Sequence, residues 1–156
     1  MAALSGIPSG ELTVFLISML PVLELRGGLL SASWLQIPLW RALPVCICGN
    51  LLPIPFILLL IRRILAWMKR FRLTGILSEK VEKHALNKSS TIQSCEFWGL
   101  FLFVGIPLPG TGAWTGALIA ALLGIPVKRA FPAIALGVLL SAGMMSFLAY
   151  GILELI

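Results

Sequence analysis

The sequence predicts an all-α integral membrane protein built as an inverted repeat, each half a re-entrant helical hairpin followed by a spanning helix. Three observations predict it. The composition is strongly apolar, the chain divides into four apolar blocks of which two are broken in the middle, and the second half repeats the first at an offset of 88 residues.

Of 156 residues, 59% are hydrophobic and 12% charged, with a mean hydropathy of +1.03. Soluble domains carry roughly 25% charged residues, so lipid is the expected solvent for a single membrane domain covering 1–156. The net charge of +6 would suggest nucleic acid in a soluble protein, but eight of the twelve basic residues lie between Arg62 and Lys88. That clustering fits a cytoplasmic loop facing anionic lipid, and no nucleic-acid partner is expected. The N-terminus has no basic segment and no cleavage signal, so no removable signal peptide is expected. Cys46, Cys48 and Cys95 have no metal-ligand spacing with histidine or with each other, and read as buried free thiols. No metal and no cofactor are expected.

The apolar blocks are Leu12–Leu35, Ala42–Ile61, Phe97–Ile125 and Ala130–Ile152, with the polar stretch Arg62–Glu96 between the second and third. The second and fourth are long enough to cross ~30 Å of hydrocarbon as helices. Pro53 and Pro55 should kink the second, and Gly137, Ser141, Gly143 and Ser146 permit close packing of the fourth. The first block is interrupted by Pro21 and by Gly27-Gly28, the third by Pro107-Leu-Pro-Gly-Thr-Gly112. About ten residues on each side of a break reach only about half the bilayer, which predicts segments that enter and return on the same side.

The repeat runs without a gap. Leu20-Pro21 matches Leu108-Pro109, Gly28 matches Gly116, and Ile37-Pro38 matches Ile125-Pro126. Arg41-Ala42 matches Arg129-Ala130, Pro44 matches Pro132, and Gly49 matches Gly137. Repeat one is 11–61, a basic amphipathic linker is 62–96, and repeat two is 97–156. One crossing per half makes the repeat inverted. A cytoplasmic linker then places both termini and Arg41 outside and Lys128-Arg129 inside, as the positive-inside rule prefers. In the linker, Ile64–Leu73 reads as a helix continuing into the interface, and Ser78 as the cap of a second short helix with a Glu79–Lys83 pair. His84 reads as a solvated loop residue, and Glu11 and Glu154 as solvated block ends.

Glu24 and Arg26 lie inside the first apolar block, where ionisable groups cost several kcal/mol and by default mark a pathway or site. A structural ion pair is one reading, if the broken segment brings them together. The functional reading makes Glu24 a proton-coupling site and Arg26 an anion site, because the guanidinium fork suits phosphate or carboxylate. The second tip is uncharged. Pro109, Gly110, Thr111 and Gly112 open a helix with free amide donors, an anion-friendly arrangement, and are taken with Trp114 and Asn50 as substrate-binding candidates. Gln36 is a weaker polar candidate. Gly112, Gly116, Ala120 and Gly124 recur every fourth residue and read as a packing face. The partners expected for Glu24 and Arg26 are each other, water or a substrate.

Ser18-Met-Leu-Pro-Val-Leu-Glu-Leu-Arg-Gly-Gly28 together with Ile106-Pro-Leu-Pro-Gly-Thr-Gly-Ala-Trp-Thr-Gly-Ala117 resembles the signature of the small multidrug export protein family, over essentially the whole chain. The architecture is also similar to the DedA (VTT) family, in which two re-entrant hairpins meet at midmembrane and which is linked to proton-dependent flipping of lipid carriers. Here the second tip has neither an acid nor an arginine. The resemblance implies a prokaryotic inner-membrane, multi-pass transporter. The expected activity is proton-coupled export or flipping of an amphipathic, anionic, lipid-phosphate-like substrate, by a homodimer with membrane lipids as surroundings. The alternatives are a membrane scaffold or assembly factor, or an intramembrane lipid-phosphate enzyme. With no nucleophile–base arrangement in the sequence, an enzyme is not expected.

Overall fold

The structure is a computed structural model, and it describes residues 9–70, 90–108 and 110–151. Seven helices carry the described chain: α1 (Ser9–Met19), α2 (Glu24–Trp34), α3 (Leu39–Leu51), α4 (Pro53–Arg70), α5 (Ser90–Gly105), α6 (Ala113–Leu122) and α7 (Val127–Gly151). No strand occurs among the described residues. The expectations placed on Ser78, Glu79, Lys83, His84, Pro109 and Glu154 lie outside them.

Two stretches are long and apolar enough to cross a membrane, Leu39–Ile64 with 26 residues and Val127–Gly151 with 25. At ~1.5 Å per residue each exceeds ~30 Å of hydrocarbon. The first has a break at Leu52, immediately before Pro53, where a proline without an N–H is tolerated as the first residue of α4. Pro44 and Pro132, equivalent in the two repeats, both lie inside their helices.

The first break falls at Leu20–Leu23, beside Pro21, but Gly27 and Gly28 sit inside α2 and do not break it. Their role is packing. A Cβ on Gly28 would collide with Ser18 of α1 and stand 3.0 Å from Cys46 Sγ of α3. A Cβ on Gly49 would lie 3.1 Å from Ser18 Cβ and 2.7 Å from the Phe15 carbonyl oxygen. Gly116 and Gly137 do the same around Val104: a Cβ on Gly116 would be 2.6 Å from Val104 Cγ2, and one on Gly137 would be 2.8 Å from Val104 Cβ and from the Phe101 carbonyl. Each repeat therefore closes two glycines around one residue of its first helix.

The helix ends repeat as well. After α2, Gln36 takes a left-handed φ of 54°, and after α6, Gly124 takes 70°. Ile37 N donates to the Ala32 carbonyl and Ile125 N to the Ala120 carbonyl, both at 2.9 Å, the six-to-one bond that closes a helix C-terminus. Pro38 and Pro126 then start α3 and α7 with matching bonds from Arg41 and Arg129.

In both repeats the first two helices fold back on each other. A Cβ on Gly10, at the start of α1, would be 3.3 Å from Ile37 Cδ1 just past the end of α2. Leu100 and Phe103 of α5 share an apolar recess with Ile119, Leu123 and Ile125 at the end of α6. The Tyr150 hydroxyl donates to the Ile37 carbonyl at 2.8 Å and Ser33 Oγ to the Ala149 carbonyl at 3.0 Å. These bonds set the end of α7 beside the end of α2 and the start of α3. The buried core runs through all of these contacts, from Leu25, Leu29 and Cys46 to Ala117, Ile134 and Val138.

Candidate functional site

Proline and glycine leave two short non-helical tips, tip one at residues 20–23 and tip two described at residues 106–108 and 110–112, and the fold brings them together. Glu24 and Arg26 stand in the first turn of α2, on the chain emerging from tip one. Glu24 has φ of 50°, left-handed for a residue with a side chain. Such a conformation costs about 1–3 kcal/mol and persists where surrounding contacts enforce it.

Those contacts come from tip two. Glu24 is 6% exposed, and its Oε1 accepts a hydrogen bond from Trp114 N at 3.1 Å, with the Ala113 amide also directed at the carboxylate. The acid thus sits on the amino end of α6, where unpaired amides and the helix dipole favour negative charge. Arg26 reaches in the opposite electrostatic sense. Its Nη1 donates to the Leu108 carbonyl, and Nη2 donates to the Thr111 carbonyl at 2.6 Å and to Thr111 Oγ1 at 3.1 Å. The Leu108 carbonyl also receives the Thr111 amide at 3.1 Å, whereas the Thr111 carbonyl lies before α6 with no helix ladder to satisfy it, and in an apolar medium it would cost several kcal/mol as an orphan.

Thr111 organises tip two from inside. Its hydroxyl lies 2.9 Å from both the Ile106 and Leu108 carbonyls, while Leu108 N donates back to it at 3.2 Å. Gly110 supplies the left-handed turn, with φ of 83°. Gly112 faces Glu24 directly, and a Cβ there would fall on the carboxylate.

Arg41 and Glu11 form an ion pair, Nε to Oε1 at 3.5 Å. Glu24 and Arg26 do not pair with each other. Nor is Glu11 a solvated block end; its side chain is 16% exposed against Arg41.

Of the predicted site residues, Glu24, Arg26, Gly110, Thr111, Gly112 and Trp114 meet at the tips, and Pro109 lies outside the described residues. Trp114 also lines an apolar cavity of about 580 Å³ with Thr13, Leu16, Ile17, Met19, Leu20, Pro21 and Pro53. Its Nε1 is buried without a partner, and so is Asn50 Oδ1 on α3. Residues missed in the sequence are Leu108, whose carbonyl receives Arg26, and Ser18, the pivot of the first repeat's glycines. Neither carries a side-chain signal that reading residue types could find. Among the described residues no group of three or more His, Cys, Asp or Glu is placed to hold a metal. Cys46, Cys48 and Cys95 are free thiols, but of the three expected to be buried only Cys46 is; Cys48 and Cys95 are exposed on outward faces of their helices.

The family model described as "Putative small multi-drug export protein" matches residues 24–144. The chain belongs to this family. The matched span begins at Glu24 and takes in Arg26, all of tip two and most of α7. No curated protein and no solved structure matches the chain. The description of the small multi-drug export family, a membrane family, agrees with the two apolar helices of spanning length.

Proposed function

We propose that this member of the small multi-drug export family is a proton-coupled transporter. It exports or flips an amphipathic, anionic, lipid-phosphate-like substrate at a midmembrane site between two re-entrant hairpins. The observation that carries the proposal is the meeting of Glu24 and Arg26 with the backbone of tip two. A buried carboxylate held by helix amides is held less strongly once protonated, because the bonds lose their charge assistance, so proton binding and tip separation are linked. Arg26 has more N–H donors than its three contacts use, leaving some for a substrate oxygen. The apolar cavity beside Trp114 falls within the usual ~300–1,000 Å³ of ligand sites and suits a substrate's apolar part.

The re-entrant and inverted topology is part of the proposal. Helices α1 and α2 have 11 residues each, roughly 16 Å, about half the hydrocarbon. The end of α7 beside the start of α3, with the repeated helix ends, supports opposite directions for the two spanning helices. Broken helices from two repeats meeting at a midplane site form a recurrent transporter plan. The linker is cytoplasmic in this reading, the membrane is the prokaryotic inner membrane, and two copies enclose the route.

Reconstitution into liposomes containing a fluorescent anionic lipid tests it. An imposed proton gradient drives the probe across the bilayer at a rate well above that of empty liposomes. Equal rates with and without a gradient contradict proton coupling, and a hydrolysed probe favours an enzyme.

A further inference from the structure

Gly112 has φ of 160° and ψ of −174°, extended backbone that any residue adopts. Its glycine is therefore not needed for conformation. It is needed for space, because the place of a Cβ is taken by the Glu24 carboxylate. The repeat gives this contact a further meaning. Gly112 is the equivalent of Glu24 at the offset of 88, so equivalent positions of the two halves face each other. Glutamate at both would oppose two carboxylates in one buried spot, where both cannot readily stay charged. One acid opposite one glycine avoids that and leaves room for the acid to reach the amino end of α6.

We infer that Gly112 is a positioning residue: its bare backbone is the seat of the Glu24 carboxylate, and seat and carboxylate together hold the two tips shut. Trp114 N donates to the seated carboxylate and Arg26 closes on the Leu108 and Thr111 carbonyls, so the acid and the base fasten the same tip at two points. Filling the seat displaces the carboxylate and opens the first of them. The consequence for transport rests on the function proposed above, so the test reads docking and not transport.

Hydrogen exchange is followed by mass spectrometry on the full chain in lipid nanodiscs, in the peptide containing Ala113 and Trp114. Gly112→Ala should speed exchange there by about tenfold or more, the scale of losing a hydrogen bond to a charged group. Glu24→Ala should do the same, and Gly112→Ala added to Glu24→Ala should change nothing further. Should Gly112→Ala alone fail to fold, the double variant should fold, since the clash is gone. The inference is overturned if Gly112→Ala exchanges like wild type, if the two effects multiply, or if the double variant also fails to fold. All of these outcomes are independent of whether the protein transports anything.

Discussion

Glu24 and Gly112 occupy the same position in the two repeats, and the carboxylate of one lies against the bare backbone of the other. A pair of charged residues in an apolar segment is thereby accommodated without a direct ion pair, although each lies within the other's field. The acid is met by amides at a helix start and the guanidinium by carbonyls of a loop. Backbone dipoles do what side-chain charges do elsewhere.

Removing the guanidinium leaves the Thr111 carbonyl without a donor, while the Leu108 carbonyl keeps the Thr111 amide at 3.1 Å. Arg26→Ala should therefore destabilise the protein by about 2–4 kcal/mol, given ~1.5–3 kcal/mol for a charged hydrogen bond and the one orphaned acceptor left behind. Arg26→Lys should recover only part, since an ammonium cannot span the two carbonyls as a planar fork does. Thermal unfolding in detergent orders the three proteins wild type, Lys, Ala; equal midpoints for Lys and wild type would show that charge alone suffices.

Packing glycines and open glycines should separate cleanly. A Cβ on Gly49 meets the Phe15 carbonyl at 2.7 Å and one on Gly137 the Phe101 carbonyl at 2.8 Å, and backbone cannot step aside. Alanine at either should cost about 1–3 kcal/mol as overpacking. Nothing stands within 4 Å of a Cβ at Gly143, so Gly143→Ala should be neutral or stabilise by up to about 1 kcal/mol through helix propensity. The same unfolding assay checks all three.

Much of this was legible in the residues. Pro21 and the Pro107–Gly112 stretch locate the tips because proline and glycine act locally, and the offset of 88 pairs the halves from residue types alone. Gly27-Gly28 misleads for the opposite reason. A glycine inside a helix and a glycine that ends one look alike in sequence, and only Ser18 on the neighbouring helix shows that Gly28 is there for close approach. The partners of Glu24 and Arg26 were hidden because they are main-chain atoms, which every residue possesses. One trace of them was present: the repeat sets Gly112, the residue with no side chain, opposite Glu24.

The proposed inverted topology can be tested at equivalent positions of the two halves. Leu39 and Val127 are equivalent positions at the starts of α3 and α7. In a background lacking native cysteines, a cysteine at Val127 should label from the cytoplasm and one at Leu39 from outside. Both labelling from outside would mean two full crossings per half and a parallel repeat.

On the proposed function, Glu24 carries the proton that drives transport. Glu24→Gln keeps the shape and much of the hydrogen bonding of the side chain but cannot gain and lose a proton. In liposomes with an imposed proton gradient, wild type should move the anionic lipid probe and the Gln variant, equally folded and inserted, should not exceed the rate of empty liposomes. A Gln variant that moves the probe as fast as wild type would contradict the account.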